Sequence, residues 1–336
     1  MKAIGYRTPL PIESPAALED LEIPPPEARP NDLVVRVKAV SVNPVDTKVR
    51  ARRAPKDGKP EVLGWDAVGI VEAVGEDVSR FKIGDRVYYA GAINRPGANS
   101  ELHAVDERIV ARAPRSLSDE QAAALPLTSI TAYELLFDRL KIVRHGGASQ
   151  TLLVIGGAGG VGSILIQLAR RLTKLRVVAT ASRAETRQWC FDLGAHSVLD
   201  HSRPIAAQLK AAGFGEVDFV AALTQTQHHF DQIVESIRPQ GHIAVIDDMD
   251  GLDVMKLKTK SLSLHWELMF TRSLFQTPDM AEQGKLLAEI ASLVDAGEIR
   301  STVQANFGRI NAENLRRAHA LIESGRAQGK IVLAGF

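Results

Sequence analysis

The chain holds a single cysteine, Cys190, among its 336 residues. No internal disulfide can form, and every multi-cysteine zinc or iron–sulfur site is excluded. An excess of charge is also missing: 41 Lys and Arg against 40 Asp and Glu leave a formal net charge of +1. That balance gives no support to a nucleic-acid or membrane-surface partner. No apolar run approaches the roughly 18 residues needed to span a bilayer. The opening MKAIGYRTPLPIESP carries Arg7, Glu13 and three prolines, where a signal peptide needs an apolar stretch. The expectation is a soluble, cytoplasmic protein. Tandem repeats and low-complexity linkers are absent as well. What is present is an ordinary globular balance, 45% hydrophobic and 24% charged, in a chain long enough for two closely joined domains.

The order of segments divides the chain. Asp32–Val42 alternates with period two through Val35 and Val37, the pattern of a half-buried strand. Ala67–Val74, Arg86–Tyr89, Glu101–Val105 and Arg108–Ala111 read as further short strands, together a small, partly closed antiparallel sheet. From Ser118 the texture turns helical, with Ser118 and Gln121 as a capping box and a break expected before Pro126. Strands at Thr151–Ile155, Arg176–Ala181, Ser197–Leu199, Val217–Ala222 and His242–Ile246 then alternate with helices. That is the pattern of a doubly wound parallel sheet. After Asp279 a helix ending at Gly297, a helix capped by Asn311 and a last strand at Lys330–Leu333 are expected.

The most informative stretch is VIGGAGGVGSILIQLAR, Val154–Arg170. Gly157-x-Gly159-x-x-Gly162 follows a predicted strand and opens a predicted helix, the context that gives this motif meaning. Gly157 allows the tight turn, Gly159 the approach of a pyrophosphate, and Gly162 close helix–strand packing. Gly157, Gly159, Gly160, Val161 and Gly162 are thus candidate dinucleotide contacts, with the helix N-terminus facing the phosphates. No Gly-Lys-Ser/Thr follows, so a triphosphate loop is excluded. At the end of the next strand, Ser182-Arg183 stands where an NAD site carries a carboxylate, and none appears until Glu185. Ser182, Arg183 and Arg187 suit a 2′-phosphate and hence NADPH. The plainer alternative makes Ser182 a helix cap and Arg183 a solvated residue.

On these residues, and on SVNPVDTKVR (Ser41–Arg50), VLGWDAVGIVEAVG (Val62–Gly75), FKIGDRVYY (Phe81–Tyr89), AAALPLTSITAYE (Ala122–Glu134) and KIVL (Lys330–Leu333), the chain resembles the medium-chain dehydrogenase/reductase superfamily. Within it the chain is similar to the zinc-lacking quinone oxidoreductases, whose relatives often carry the label zinc-type alcohol dehydrogenase-like. The resemblance implies a GroES-like, partly closed antiparallel barrel at residues 1–126, a Rossmann domain at 127–270 and a C-terminal segment, 271–336, returning to the first domain. It also implies an active site in the cleft between the domains, and a homodimer. The family's zinc ligands correspond to Asn43, Trp65 with Asp66, and Leu127, a set unable to hold zinc. No metal is therefore expected.

Without a Lewis acid, acceptors that take hydride with little help become the expectation: a quinone, or alternatively an α,β-unsaturated aldehyde or ketone. A non-catalytic NADPH-binding protein is the third reading. Asn43 is the candidate catalytic residue, its amide donating to a substrate oxygen; alternatively it caps the following turn. Trp65, Tyr89 and Phe270 are candidate substrate contacts, with core packing the competing role for Trp65 and Phe270 and a dimer contact the competing role for Tyr89. The resemblance places Thr131 on the nicotinamide side; Asp46 either hydrogen-bonds within its own loop or touches the nicotinamide ribose, and Lys330 is a further candidate cofactor contact. Cys190 reads as a buried, inert thiol, and His228-His229 as surface or structural residues.

Overall fold

Valines at alternating positions make Asp32–Val42 the longest strand of the protein, and the first sheet is assembled on it. In the computed structural model, which describes residues 1–336, the chain divides into Met1–Ile130 with Phe270–Phe336 as unit 1, and Thr131–Met269 as unit 2. Unit 1 begins with β1 (Lys2–Tyr6), β2 (Glu19–Glu22), β3 (Asp32–Val42) and α1 (Pro44–Arg52). It continues through β4 (Glu61–Val62), β5 (Ala67–Val74), β6 (Arg86–Tyr89), β7 (Leu102–Asp106), β8 (Val110–Arg112) and α2 (Asp119–Ala123). Helix α3 (Pro126–Tyr133) carries the chain into unit 2 and runs directly into a π-helical turn, Glu134–Arg139.

Unit 2 is built from β9 (Thr151–Ile155), α4 (Gly160–Leu172), β10 (Arg176–Thr180), α5 (Ala184–Asp192), β11 (Ser197–Leu199) and α6 (Ile205–Ala211), followed by β12 (Val217–Ala222), α7 (Thr226–Ser236), β13 (Ile237–Val245) and β14 (Ser263–Trp266). The chain then returns to unit 1 through α8 (Thr271–Phe275), α9 (Glu282–Asp295), β15 (Val303–Asn306), α10 (Ala312–Glu323) and β16 (Lys330–Ala334).

In unit 1, β3 pairs antiparallel with β5, β7 and β16. Its ladder with β5 shifts register twice, between Val34 and Val35 and between Val37 and Ala39. Such irregularities bend and twist a strand, which curls this sheet toward a barrel. In unit 2 the order is β11-β10-β9-β12-β13-β14, and all five pairings are parallel. The order reverses direction beside β9, so ligands belong at the carboxyl ends of these strands. Leu153, Val178, Val220 and Ile243 from the strands and Phe230 and Ile233 from α7 lie in one buried cluster. Both faces of such a sheet are covered, which is why its strands are apolar runs rather than alternations.

The capping box is present: Ser118 N–H donates to Gln121 Oε1 (3.1 Å) and Gln121 N–H to Ser118 Oγ (3.3 Å). Asn311 caps α10 through Asn314 N–H at 2.8 Å. The parallel sheet has six strands rather than the five expected. The added strand, β14, is only four residues long, too short to show a period. No helix is long and apolar enough to cross a membrane.

Candidate functional site

The carboxyl edge of unit 2 is organised by its glycines. Gly156 turns the chain with φ at +83°, so the left-handed position is Gly156, one residue before the glycine assigned to the turn from sequence. Its N–H donates to Thr180 Oγ1 at 3.0 Å, and Gly157 N–H donates to Thr180 O at 3.1 Å. Gly157 is required for another reason: a Cβ there would lie 2.7 Å from Ala179 Cβ and 3.1 Å from Cys190 Sγ. At Gly162 a Cβ would meet the carbonyl oxygens of Gly156 and Gly157 at 2.5 and 2.6 Å. At Gly159 the nearest atom is Gly156 O at 3.5 Å, an ordinary contact, so a Cβ there would meet no clash within the protein.

Gly159 is the N-cap of α4 and supplies no side chain to its first N–H groups. Gly159, Gly160 and Val161 are half-exposed. A thirteen-residue helix with an uncapped, accessible N-terminus presents oriented donors and partial positive charge, a fit for phosphate.

The neighbouring strand ends beside this turn. Ala181 N–H donates to Leu199 O at 2.9 Å, and the exposed Ser182 and Arg183 follow. Arg183, not Ser182, occupies the N-cap of α5, and Ser182 makes no cap. Arg183 Nε lies 3.1 Å from Glu185 Oε1, with both side chains largely exposed. A surface pair of this kind is weak and exchanges readily for a dianion. Arg187 is half-exposed one turn further on, and Thr131, on α3, is 5% exposed. Trp189 Nε1 donates to Ser163 Oγ at 2.8 Å, tying α5 to α4. Cys190 is fully buried and burial pushes its thiol up to about 12, an inert group as expected.

In unit 1 a buried polar cluster joins the residues singled out from sequence. Lys330 is 3% exposed. Its ammonium meets three acceptors: Val42 O at 3.1 Å, Asp66 Oδ2 at 3.0 Å, and Asn43 Oδ1. Asp66 Oδ1 accepts from Leu127 N–H at 2.7 Å, and Asp66 Oδ2 also accepts from Asn43 Nδ2 at 2.8 Å. Burial pushes the Asp66 carboxyl upward, against Lys330 and the amide donors that favour its charged form. Asp46 takes Asn43 N–H (2.6 Å) and Gly64 N–H (3.1 Å) on its two oxygens, and burial raises it to about 7.

These contacts correct several expectations. Asn43 Nδ2 donates to Asp66 Oδ2 and faces Trp65 O at 3.4 Å with its other N–H, and its Oδ1 accepts from Lys330, so both ends of the amide are engaged inside unit 1. Asp46 makes the within-loop hydrogen bond that was one of its two readings, and every donor of Lys330 is engaged inside unit 1. Trp65 and Phe270, 1% and 2% exposed, pack edge-on at 6.1 Å. Tyr89 is fully buried with its hydroxyl 3.1 Å from His103 Nδ1, while His103 Nε2 faces Pro96 O at 2.9 Å. The carbonyl requires a proton on Nε2, so Nδ1 accepts and Tyr89 is the donor. Core packing is the observed role of all three aromatics. Asp66, central to this cluster, is singled out in the sequence only as a counterpart of a zinc-ligand position in the family.

Residues 29–115 match the alcohol dehydrogenase GroES-like domain family, and residues 193–333 the zinc-binding dehydrogenase family. Over 336 residues the chain is 40% identical to a zinc-type alcohol dehydrogenase-like protein of Staphylococcus aureus, covering 99% of each. The chain belongs to the zinc-type alcohol dehydrogenase-like family. Among solved structures of medium-chain dehydrogenases/reductases, one from Rhizobium etli described as a zinc-dependent alcohol dehydrogenase superposes with a TM-score of 0.96. It is 53% identical, covering 100% of this chain and 98% of the other. The Escherichia coli quinone oxidoreductase complexed with NADPH superposes at 0.84 with 26% identity, covering 99% and 100%.

The family's zinc-type label makes metal fit a fair question for this member. Its residues do not suit zinc: no group of three or more His, Cys, Asp or Glu side chains could hold a metal ion. At the positions that the resemblance gives to zinc ligands, Asp66 alone carries a good donor, and that donor is committed to an ammonium.

Proposed function

We propose that this protein is an NADPH-dependent oxidoreductase that passes hydride to a quinone without a metal. The observation that carries the reading is the open N-terminus of α4 beside Ser182 and Arg183, with no carboxylate at the end of β10. Gly157, Gly159, Gly160, Val161 and Gly162 are proposed to hold the pyrophosphate, and Ser182, Arg183 and Arg187 the 2′-phosphate. Thr131 is proposed on the nicotinamide side. When bound, the dinucleotide supplies the hydride; the protein supplies orientation and excludes water. The engagement of Asn43 favours a quinone over an enone, because an enone oxygen would need a donor that Asn43 no longer offers.

A homodimer is part of the proposal. Edge strand β14 leaves one side unpaired, and Trp266 and Leu268 beside it are 57% and 51% exposed.

The test is a paired titration of metal-stripped protein with NADPH and NADH, then NADPH oxidation with an ortho-quinone and with an enone. Tight NADPH binding with quinone turnover, unchanged by chelator, is expected. Activity restored only by zinc would overturn the metal-free reading, and binding without turnover would favour a non-catalytic role.

A further inference from the structure

Helix α5 bears both cations assigned above to the 2′-phosphate, Arg183 at its N-cap and Arg187 one turn further on. Its own anchorage is slight. The helix has nine residues, a length of about 13.5 Å, and its buried side chains are Thr186 and Cys190. The Thr186 hydroxyl donates to Arg183 O at 2.9 Å, inside the same turn. Cys190 is then the buried contact that faces the glycine turn, where a Cβ on Gly157 would lie 3.1 Å from its Sγ. Apolar contact is non-directional, so this thiol leaves the position of α5 along its own axis loosely specified.

Trp189 supplies the missing direction. It is half-buried, and its Nε1–H donates to Ser163 Oγ at 2.8 Å. Ser163 is fully buried in the first turn of α4. Its N–H donates to Gly159 O at 2.9 Å, and its hydroxyl faces Ala158 O at 3.5 Å. An indole nitrogen donates and never accepts, so Ser163 Oγ is the acceptor and its own proton points to Ala158 O. One buried hydroxyl thus meets the helix of the two arginines on one side and the glycine turn on the other.

We propose that Trp189 is a positioning residue for dinucleotide choice: its hydrogen bond to Ser163 holds α5 at the spacing from the glycine turn at which Arg183 and Arg187 meet a 2′-phosphate while the pyrophosphate sits at the start of α4, a role that rests on the NADPH reading above. NADPH presents two anionic groups to unit 2 at a fixed separation. A charge-assisted hydrogen bond is strong only when aligned, and it weakens steeply with angle and distance. NADH carries a neutral hydroxyl in place of the 2′-phosphate, so its phosphates draw on the glycine turn and a shift of α5 matters little to it.

The experiment is calorimetric titration with NADPH and with NADH of wild type, Arg183→Ala, Trp189→Phe, Ser163→Ala and the pairs Trp189→Phe/Ser163→Ala and Arg183→Ala/Trp189→Phe. Thermal midpoints are measured on the same proteins. Phe at 189 keeps a half-buried ring and deletes the N–H; Ala at 163 deletes the acceptor and keeps the indole. Either single change weakens NADPH about three- to tenfold, the scale of one net hydrogen bond, and NADH less than about twofold. The Trp189→Phe/Ser163→Ala pair is no weaker than its members, because the same bond is lost in all three. On the Arg183→Ala background Trp189→Phe costs NADPH less than about twofold more. Equal losses of the two nucleotides in Trp189→Phe and Ser163→Ala, or losses that add in their pair, overturn the proposal; a Trp189→Phe that fails to fold leaves Ser163→Ala to decide by the same comparison. The two readings fail differently. Wild type that binds NADPH no tighter than NADH overturns the NADPH reading and this role with it. An Arg183→Ala loss confined to NADPH, beside a Trp189→Phe loss shared by both nucleotides, overturns this role alone.

Discussion

Replacing Lys330 by Met tests the buried cluster of unit 1 most directly. The substitution keeps a linear apolar stem of similar length and removes the ammonium, leaving Asp66 fully buried with only N–H partners from Leu127 and Asn43. Breaking a buried ion pair by removing one partner costs about 3–5 kcal/mol. For a unit of this size each kcal/mol moves the midpoint by about 2–4 °C, so a fall of about 6–20 °C is expected. The pH dependence identifies the cause. Without Lys330 the Asp66 carboxyl titrates well above its unfolded value, so the folded state binds more protons and stability rises as pH falls. The deficit of Lys330→Met is therefore larger at pH 8 than at pH 5.5. Adding Asp66→Asn removes the orphaned charge, and a turn of the Asn43 amide restores donor-to-acceptor pairing, so the double variant recovers much of the loss. Thermal denaturation by circular dichroism of wild type, both single variants and the double variant at the two pH values completes the cycle. A deficit under about 1 kcal/mol, or one independent of pH, would refute the account of Lys330 as the counter-charge of Asp66.

Other outcomes are expected elsewhere. Arg183→Ala should weaken NADPH by about 1.5–3 kcal/mol, roughly 10- to 150-fold, and leave NADH nearly unchanged; equal losses in fluorescence titrations would dissociate Arg183 from the 2′-phosphate. Gly159→Ala should fold with an unchanged midpoint, because its Cβ meets no protein atom closer than 3.5 Å, yet lose dinucleotide affinity. Gly162→Ala should lower the midpoint itself, since its Cβ would strike two backbone carbonyls. Burial pushes His319 down to about 3, so the folded state refuses a proton that the unfolded chain accepts. Stability then falls as pH drops from about 6.5 toward 3, and His319→Leu should flatten that acid slope in a pH series of denaturant midpoints.

What the sequence disclosed depended on how far apart the interacting residues lie. The glycines of Val154–Arg170 were legible because the absence of a Cβ is itself written in the chain, and the geometry refines only which glycine does what. The Ser118 and Asn311 caps were legible because each acts within three residues. The partner of Lys330 was not legible: its carboxylate, Asp66, lies 264 positions away, and no periodicity reports such a pairing. Asn43 was read as a donor for the same reason, since its own neighbours do not reveal that both ends of its amide are engaged. The buried Glu134 and Glu267 did leave a trace, each a lone carboxylate inside an apolar run, AYELLF and HWELMF. That trace does not show burial by itself, since Trp266 and Leu268 on either side of Glu267 are exposed.

The pairing of β16 with β3 also fixes an order of events in time. Ile331 to Ala334 complete the ladder along Val42 to Ala39, and Lys330 neutralises Asp66, but these residues emerge about 200 positions after β8, the last of the N-terminal strands of their sheet. At roughly 5–20 residues per second, the N-terminal strands wait about 10–40 s with an open edge at β3 and a bare acid in their core. Unit 2, continuous from Thr131 to Met269, completes during that interval. Ribosome-bound chains arrested after Asn306 should accordingly resist protease across residues 151–266 and remain cleavable between residues 32 and 74.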